Sequence, residues 1–164
     1  MISYQEALGI ILAGSTVLGR RNVPLQAAAG RISAEALQAR LDVPAFANAA
    51  MDGYAVAASD TASASAEQPA ILPVAGTVVA GLAPPRAASG SAWEIMTGAP
   101  LPAGLDAVVP VERIAEHVPG GPALTAIRLQ QPALPGQNVR RMSEDFRRGD
   151  RVVAAGTRLA PHHR

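Results

Sequence analysis

Apolar and polar positions follow a helical period at the start of this chain. Leu8, Ile11 and Leu12 lie at helical spacing, after a Ser3–Glu6 pair that can form a capping box. This pattern predicts a helix from about residue 3 to residue 18 whose role is packing. Residues 24–30 are predicted to form a short helical turn ended by glycine.

The next segment, residues 31–38, is ambiguous by pattern alone. Its alanines and Glu35 favour a helix, whereas Ile32, Ala34 and Ala36 alternate with polar neighbours as they would in a strand. Both readings stay open at this point.

From residue 52 onward the pattern changes to short apolar runs separated by glycine and proline. The 14 prolines and 15 glycines of the chain break any long helix, so these runs are predicted to be strands. Residues 61–69, rich in serine and alanine, are predicted to be a surface loop. The predicted strands are residues 71–74, 77–79, 92–95, 107–109, 124–129 and 151–154.

Composition narrows the classes of protein that remain. Hydrophobic residues make up 49% and charged residues 16% of 164, which predicts one globular domain or two small ones. The net charge of +1 argues against a nucleic-acid partner. With no lysine and no cysteine, a P-loop, Schiff-base chemistry, disulfides and thiolate metal sites are excluded. No apolar run approaches the roughly 20 residues of a membrane span. We therefore expect a soluble, cytoplasmic protein.

Three motifs carry candidate chemistry, and the first is residues 44–56. It places Asp52, Gly53 and Tyr54 in a row between apolar residues. Asp-Gly is a strong turn signal, since glycine tolerates positive φ and aspartate can bond its own backbone. One interpretation is a hairpin turn capped by Asp52, and the other is a carboxylate that binds a metal ion or orients a substrate.

The second motif is residues 95–109, with Thr97 and Gly98 followed by two prolines. A Thr-Gly turn offers a hydroxyl and exposed N–H groups, which together can bind an oxyanion. The third motif is residues 136–145, where two arginines precede Glu144 and Asp145. Arginine forks suit the oxygens of phosphate and similar oxyanions, and paired acids suit a hydrated divalent cation. An ordinary turn and a solvated charged loop are the simpler interpretations of these two motifs.

Together the motifs resemble the molybdopterin molybdenumtransferase family, which includes MoeA and the E domain of gephyrin. Its patterns read P-x-F-D-N-S-A-M-D-G-Y-A, then T-G-A-P-x-P-x-G-x-D-A-V-V, then G-x-N-I-R-x-x-G-E-D. The departures of the chain from these patterns include Ala47, Ala49 and Ser143. If position 143 needs positive φ, serine strains it by on the order of 1 kcal/mol.

This resemblance covers the N-terminal region of the family, domains I and II, and implies a fold. It implies a mainly β protein with an N-terminal helix (α+β), built from bifurcated and coiled sheets, with a strand in residues 31–38. Residues 1–44 and 136–164 would form an elongated domain, and residues 45–135 a β-rich domain inserted into it. The family's pterin-binding α/β domain and C-terminal β domain have no counterpart in these residues.

The resemblance also implies a function, which is molybdenum cofactor biosynthesis. Members insert molybdate into adenylylated molybdopterin with release of AMP, require Mg²⁺ or a similar ion, and form homodimers whose active site lies across the subunit boundary. The upstream molybdopterin adenylyltransferase is a further expected partner. The chain alone is expected to be inactive. By position, the resemblance implies catalytic roles for Asp52, Thr97 and Asp145, cofactor binding by Arg140, Gly98 and Tyr54, and metal binding by Asp52, Asp145 and Glu144.

A second hypothesis belongs to a different class of protein. The same residues could form a dimerisation or scaffold module derived from that family and without chemistry. The substitutions Ala47, Ala49 and Ser143 favour it, and the intact Asp52, Thr97 and Asp145 oppose it.

Overall fold

The first helix begins where its capping box predicts and ends earlier than predicted. In this computed structural model, which describes residues 2–120 and 123–163, α1 spans Tyr4–Gly14. Ser3 Oγ accepts the Glu6 N–H at 3.2 Å, and the Ser3 N–H donates to Glu6 Oε2 at 2.8 Å, which confirms the capping box. The predicted end at residue 18 is wrong, because Ser15 is extended and its hydroxyl donates to the Ile11 carbonyl at 2.7 Å. That bond closes the last turn.

No residue of α1 is buried, so the packing role predicted for it is not realised within the described residues. Ile10, Ile11 and Leu12 are each more than 60% exposed, and Leu18 beyond the helix is 89% exposed. A helix that is apolar on successive positions normally has its side chains covered. This surface is therefore unpartnered in the chain as described.

The chain divides into two compact units, and unit 2 is Ala39–Asp150. Unit 1 contains the described residues before and after it. Within unit 1, β1 (Leu37–Gln38) pairs antiparallel with β10 (Arg151–Val153), and Ile32 forms an isolated bridge with Arg158. The strand that the resemblance implies in residues 31–38 is therefore present only at Leu37–Gln38, with an isolated bridge at Ile32 and bends at residues 34–35 between them. A 3₁₀ turn at Leu25–Ala27 precedes Gly30 at φ +79°, as the glycine-ended turn predicts.

Unit 2 contains a six-stranded sheet with strand order β6-β3-β5-β4-β8-β7. Only β4 and β5 run parallel among its described pairs. A separate antiparallel pair joins β2 and β9. The strands are β2 Asn48–Ala49, β3 Gly53–Val56, β4 Ala70–Val78, β5 Ala92–Ile95, β6 Ala107–Pro110, β7 Glu116–Gly120, β8 Ala123–Leu129 and β9 Val139–Arg140.

The predicted strands of unit 2 are present, but β2, β3 and β9, which lie in the first and third motifs, were not predicted as strands. The two predicted runs at 71–74 and 77–79 form one continuous strand, β4, despite Pro73 and Gly76. Strand β7 was not predicted, because its sequence, with His117 and Pro119, has no apolar run. Strands β5, β6, β8 and β10 lie within two residues of their predicted bounds.

Both faces of the sheet are covered around β3, whose four residues are all buried. Tyr54 and Val56 pack with Ile127 on one face, whereas Ala55 packs with Ile95 on the other. A strand buried on both sides has no reason to alternate apolar and polar residues, which explains its continuous apolar pattern.

The described residues are thus mainly β with a single α-helix at the N-terminus, which confirms the predicted fold class. The family domain boundaries at residues 44/45 and 135/136 stay a prediction. None of the helices in the described part of the chain is long and apolar enough to span a membrane.

Candidate functional site

The first motif lies beside the second in unit 2, joined by backbone hydrogen bonds. The Ala49 N–H donates to the Ala99 carbonyl at 3.0 Å, and the Gly98 N–H donates to the Ala49 carbonyl at 2.9 Å. The Leu101 N–H reaches the Ala47 carbonyl at 3.0 Å. Three bonds in a row fix the position of the Thr97–Gly98 turn against the segment that leads to Asp52.

The third motif lies on the other side of the first. Asn48 pairs with Arg140 and Ala49 with Val139 in the β2–β9 ladder. The Ala50 N–H donates to the Asn138 carbonyl at 2.9 Å. The segment 47–50 therefore lies between the other two motifs, and residues far apart in the chain meet around it.

Asp52 is bonded to Thr97 and does not cap its own turn. Asp52 Oδ1 accepts the Thr97 N–H at 2.7 Å and the Thr97 hydroxyl at 2.8 Å. The simpler interpretation of the first motif, a self-capped hairpin turn, is therefore wrong. The carboxylate is exposed, and within the described residues its Oδ2 has no hydrogen-bond donor.

The same two bonds set the charge of Asp52. The Thr97 N–H first, and the Thr97 hydroxyl second, stabilise the carboxylate and hold the pKa of Asp52 below its ordinary value of 3.8. Asp52 is therefore an anion throughout the neutral range. It is suited to bind a cation or accept a hydrogen bond, and not to donate a proton.

Gly53 is required by close approach and not by positive φ. A Cβ at this position would lie 2.1 Å from the Val109 carbonyl oxygen of β6. Only glycine lets β3 lie this close to β6 immediately after Asp52. The Asp-Gly motif predicted a glycine that is needed for a turn with positive φ. Gly53 is needed instead because a side chain there would collide with β6.

The Thr97–Gly98 turn does not present free donors to an outside oxyanion. Both N–H groups and the Thr97 hydroxyl donate within the protein, to Asp52 and to Ala49. Gly98 adopts φ +79°, so the glycine allows the turn itself. The geometry makes Thr97 the residue that orients Asp52.

Tyr54 belongs to the core of the sheet. It is 8% exposed, and its hydroxyl lies 2.8 Å from Nε2 of the exposed His117. Burial raises the pKa of Tyr54, and the nearby charge of Glu94 raises it further. The tyrosine side chain therefore packs in the core with Val56 and Ile127, and its predicted contact with a cofactor stays a prediction.

The charged residues of the third motif are exposed, but the structure does not gather the three predicted metal ligands. Glu144 Oε2 accepts the Arg141 N–H at 2.7 Å and so caps its own turn, while Oδ1 of Asp52 is held by Thr97. Asp145 contributes its N–H to the Val43 carbonyl at 2.9 Å.

Throughout residues 2–120 and 123–163, no three His, Asp or Glu side chains are grouped so that they could hold a metal ion. The residues present do not by themselves fit a complete Mg²⁺ site, since a divalent cation of this kind takes several oxygen ligands. Asp52 can offer one oxygen, Oδ2. The metal roles of Asp52, Glu144 and Asp145 stay a prediction.

Ser143 occupies the left-handed backbone region anticipated for a glycine. Its φ is +61°, and its hydroxyl donates to Asp42 Oδ1 at 2.9 Å. The Arg148 N–H donates to the same oxygen at 3.0 Å. The Arg148 N–H first, and Ser143 second, lower the pKa of Asp42. The serine is therefore strained and also held in place.

A separate cleft of about 210 Å³ lies in unit 2, beside the 3₁₀ turn that follows β6. Its wall includes Glu112, Arg113 and Gln137. None of the predicted site residues lines it. It is smaller than the 300–1,000 Å³ of typical ligand pockets.

Two polar residues of the motifs have positioning contacts that the sequence did not predict. Asp106 Oδ1 accepts the Ala58 N–H at 2.7 Å, at the start of a 3₁₀ turn. Asn138 donates through Nδ2 to the Val108 carbonyl at 2.9 Å and has φ +53°. Preference of asparagine for the left-handed region was the one sequence signal available for Asn138.

A family model described as "MoeA N-terminal region (domain I and II)" matches residues 2–164. Among curated proteins, the chain is 40% identical to a molybdopterin molybdenumtransferase of Synechococcus elongatus over 98% of this chain and 40% of that protein. It is 43% identical to molybdopterin molybdenumtransferase 2 of Mycobacterium tuberculosis over 98% of this chain and 38% of that protein. The chain thus spans about two fifths of the length of these relatives.

Solved structures agree with these relatives. A crystal structure of the molybdopterin biosynthesis MoeA protein of Pyrococcus horikoshii matches with a TM-score of 0.89 at 34% identity, over 99% of this chain and 42% of that one. A second crystal structure of a MoeA protein, from Pyrococcus horikosii, matches with a TM-score of 0.81 at 37% identity, over 99% of this chain and 40% of that one.

Proposed function

Because the chain belongs to the MoeA N-terminal region family (domains I and II), we propose that it serves molybdenum cofactor biosynthesis as part of a molybdopterin molybdenumtransferase. It would contribute one side of the site that inserts molybdate into adenylylated molybdopterin with release of AMP. The observation that carries the proposal is the Asp52–Thr97 pair, in which Oδ1 of the carboxylate is held by two hydrogen bonds and Oδ2 accepts none from residues 2–120 and 123–163.

The role of Asp52 follows from its charge. Molybdate and the adenylyl phosphate are anions, and two like unit charges 4 Å apart repel by about 4 kcal/mol near a protein surface. An Asp52 that is ionised at neutral pH therefore requires a cation or a polar hydrogen between itself and the substrate. Oδ2 of Asp52 would be one oxygen ligand of Mg²⁺, an ion that would neutralise this charge when bound, and the described residues do not group the other side-chain ligands around it.

Arg140 is the residue of the third motif best placed to act with Asp52. It is exposed and pairs with Asn48 in the β2–β9 ladder. Asn48 in turn lies four residues before Asp52 in the chain. A guanidinium group binds phosphate or molybdate oxygens through two parallel N–H groups. In this proposal Arg140 neutralises negative charge on the substrate, and Asp52 provides one oxygen for the cation. Asp145 and Glu144 would extend the acidic side of the same loop.

The partners proposed are a second copy of the protein and the pterin-binding part of the family. Relatives are about two and a half times as long as this chain, judged from the share that it covers. The unpartnered apolar residues of α1 support a homodimer, since they offer a surface that needs cover. The upstream molybdopterin adenylyltransferase would supply the adenylylated substrate.

A cross-subunit rescue experiment tests the proposed function. The chain is titrated into the full-length Synechococcus relative in which the aspartate aligned with Asp52 is replaced by asparagine. Formation of molybdenum cofactor is the readout. We expect the added chain to restore cofactor formation and the Asp52→Asn chain to restore none.

Binding and fold are measured in parallel by co-elution and by Trp93 fluorescence. A chain that is folded and bound and yet restores nothing would contradict the catalytic proposal. An Asp52→Asn chain that rescues as well as the unchanged one would contradict the assignment of Asp52 itself.

The alternative function is a scaffold without chemistry. Two observations favour it: the exposed apolar helix α1, and the dispersed acids of the third motif. A chain that binds the full-length relative through α1 and does not rescue its Asp52 equivalent would support this alternative.

A further inference from the structure

Asn138, in the third motif, is hydrogen-bonded to both of the other motifs. Its carbonyl accepts the Ala50 N–H of the first motif at 2.9 Å. Its side-chain Nδ2 donates to the Val108 carbonyl of the second motif at 2.9 Å. The neighbouring Gln137 carbonyl accepts the Val108 N–H, also at 2.9 Å. The turn 137–138 is thus bonded to β6 on one side and to the Asp52 segment on the other.

The conformation of Asn138 makes this double contact possible. Its φ of +53° lies in the left-handed region, where asparagine is among the few tolerated residues other than glycine. The residue is half-buried. Because a β-branched side chain is strained in this conformation and alanine has no amide, asparagine satisfies both demands at once.

The consequence concerns two site residues that do not contact each other directly. Asn138 lies two residues before Arg140, and it bonds Ala50, which lies two residues before Asp52. We propose that Asn138 is a positioning residue that sets the spacing between Asp52 and Arg140. The functional meaning of this spacing rests on the proposed function, whereas the structural connection does not.

Two variants of Asn138 and one matched control test the proposal. Asn138→Gly keeps the left-handed backbone available and removes the bond to Val108. Asn138→Asp keeps the shape and places a second acceptor against the same carbonyl. The control Ser91→Ala removes a comparable bond elsewhere in unit 2, from the Ser91 hydroxyl to the Ala88 carbonyl at 2.7 Å.

Amide hydrogen exchange, followed by NMR, is the deciding measurement. We expect the Ala50 and Thr97 amides to exchange about tenfold faster in Asn138→Gly, the size expected for one lost hydrogen bond, and at least as fast in Asn138→Asp. Amides of Ile127 in β8 should keep their protection. In Ser91→Ala the Ala50 and Thr97 amides should exchange as in the unchanged chain.

Unchanged exchange at Ala50 and Thr97 in either folded variant would overturn the proposal. A uniform acceleration across unit 2, Ile127 included, would also overturn it, since that would be a general loss of stability. In the rescue assay at saturating chain, Asn138→Gly should lower the rate of cofactor formation while Ser91→Ala leaves it unchanged. If the unchanged chain fails to rescue, the proposed function fails and the exchange result still decides the connection made by Asn138.

Discussion

At the scale of single residues, the Asp52–Thr97 pair shows how one side chain fixes both the direction and the charge of another. The Thr97 N–H and hydroxyl both donate to Oδ1, so Oδ2 is left for a ligand. The pKa of Asp52 is lowered as a result. A substitution at Thr97 can remove the effect of the hydroxyl on this pKa and leave the effect of the N–H.

We predict that Thr97→Val raises the pKa of Asp52 towards 3.8, because it removes the hydroxyl donor and retains the N–H. Thr97→Ser, which keeps both donors, is the matched control and should leave the pKa unchanged.

Because the pKa of Asp52 is lowered in the folded state, the stabilisation that its ionised form gives to the fold is present above pH 3.8 and is lost as the pH falls through the lowered pKa. The stability difference between the unchanged chain and Thr97→Val should therefore vanish in acid. Carboxyl NMR titration and unfolding at several pH values measure both effects, and an unchanged Asp52 titration in Thr97→Val would refute them.

At Gly53 the prediction concerns steric overlap between a new side chain and the neighbouring strand. Gly53→Ala places a Cβ 2.1 Å from the Val109 carbonyl oxygen, so β3 and β6 must separate. We expect a loss of about 1–3 kcal/mol in the free energy of unfolding, as for other overpacked sites. Gly9→Ala in α1, where no atom lies within 4 Å of the new Cβ, is the control and should stabilise its helix. Equal melting temperatures for Gly53→Ala and the unchanged chain would contradict the steric argument.

Ser143 allows the strain of a left-handed residue to be measured. Ser143→Gly relieves the φ of +61° and loses the bond to Asp42, whereas Ser143→Ala loses the bond and keeps the strain. The glycine variant should therefore be more stable than the alanine variant by about 1 kcal/mol. Urea unfolding of the two variants measures the difference. A more stable alanine variant would show that the backbone is not strained at this position.

These residues show which parts of the site could be predicted from the sequence. Residue types and order identified Asp52, Thr97 and the third motif, and the strain at Ser143 followed from a single departure from the family pattern. The bond partner of Asp52 could not be predicted, since Thr97 lies 45 residues away. The connecting role of Asn138 was hidden for the same reason, because it depends on contacts with Ala50 and Val108.

At the scale of secondary-structure elements, local sequence signals predicted where α1 begins and not where it ends. The capping box placed the start of α1, whereas its end is set by the Ser15 hydroxyl and not by the apolar period. Strand β7 was missed because it is held by pairing with β8 and not by its own propensity. Strand β4 continues through Pro73 and Gly76 for a related reason, since β8 pairs with its first half as far as Pro73, and β5 pairs with its second half, with a register shift between Val74 and Thr77.

The exposed apolar residues of α1 lead to a prediction about assembly. If α1 forms part of the proposed homodimer interface, Ile11→Glu should shift the chain from dimer to monomer, because it places a charge among apolar residues that need cover. Gln5→Glu, on an exposed polar position of the same helix, should leave the dimer intact. Sedimentation equilibrium measures both. An unchanged dimer in Ile11→Glu would exclude this helix from the interface.

At the scale of the whole molecule, unit 2 holds all three motifs and both core clusters, and its two ends meet. The Ala39 N–H donates to the Asp150 carbonyl at 2.8 Å, and the Gly149 N–H donates to the Ala39 carbonyl at 2.8 Å. A segment whose ends are hydrogen-bonded to each other can be excised without opening its core. We therefore predict that residues 39–150 fold alone and keep the Asp52–Thr97 pair.

Trp93, the single tryptophan of the chain, lies in β5 and reports on this unit, while the circular dichroism of α1 reports on the other. The fragment should melt by Trp93 fluorescence at the temperature at which the full chain does, and its Thr97 amide should keep its protection from exchange. Trp93 emission typical of an unfolded chain at 25 °C would show that unit 2 depends on the residues removed.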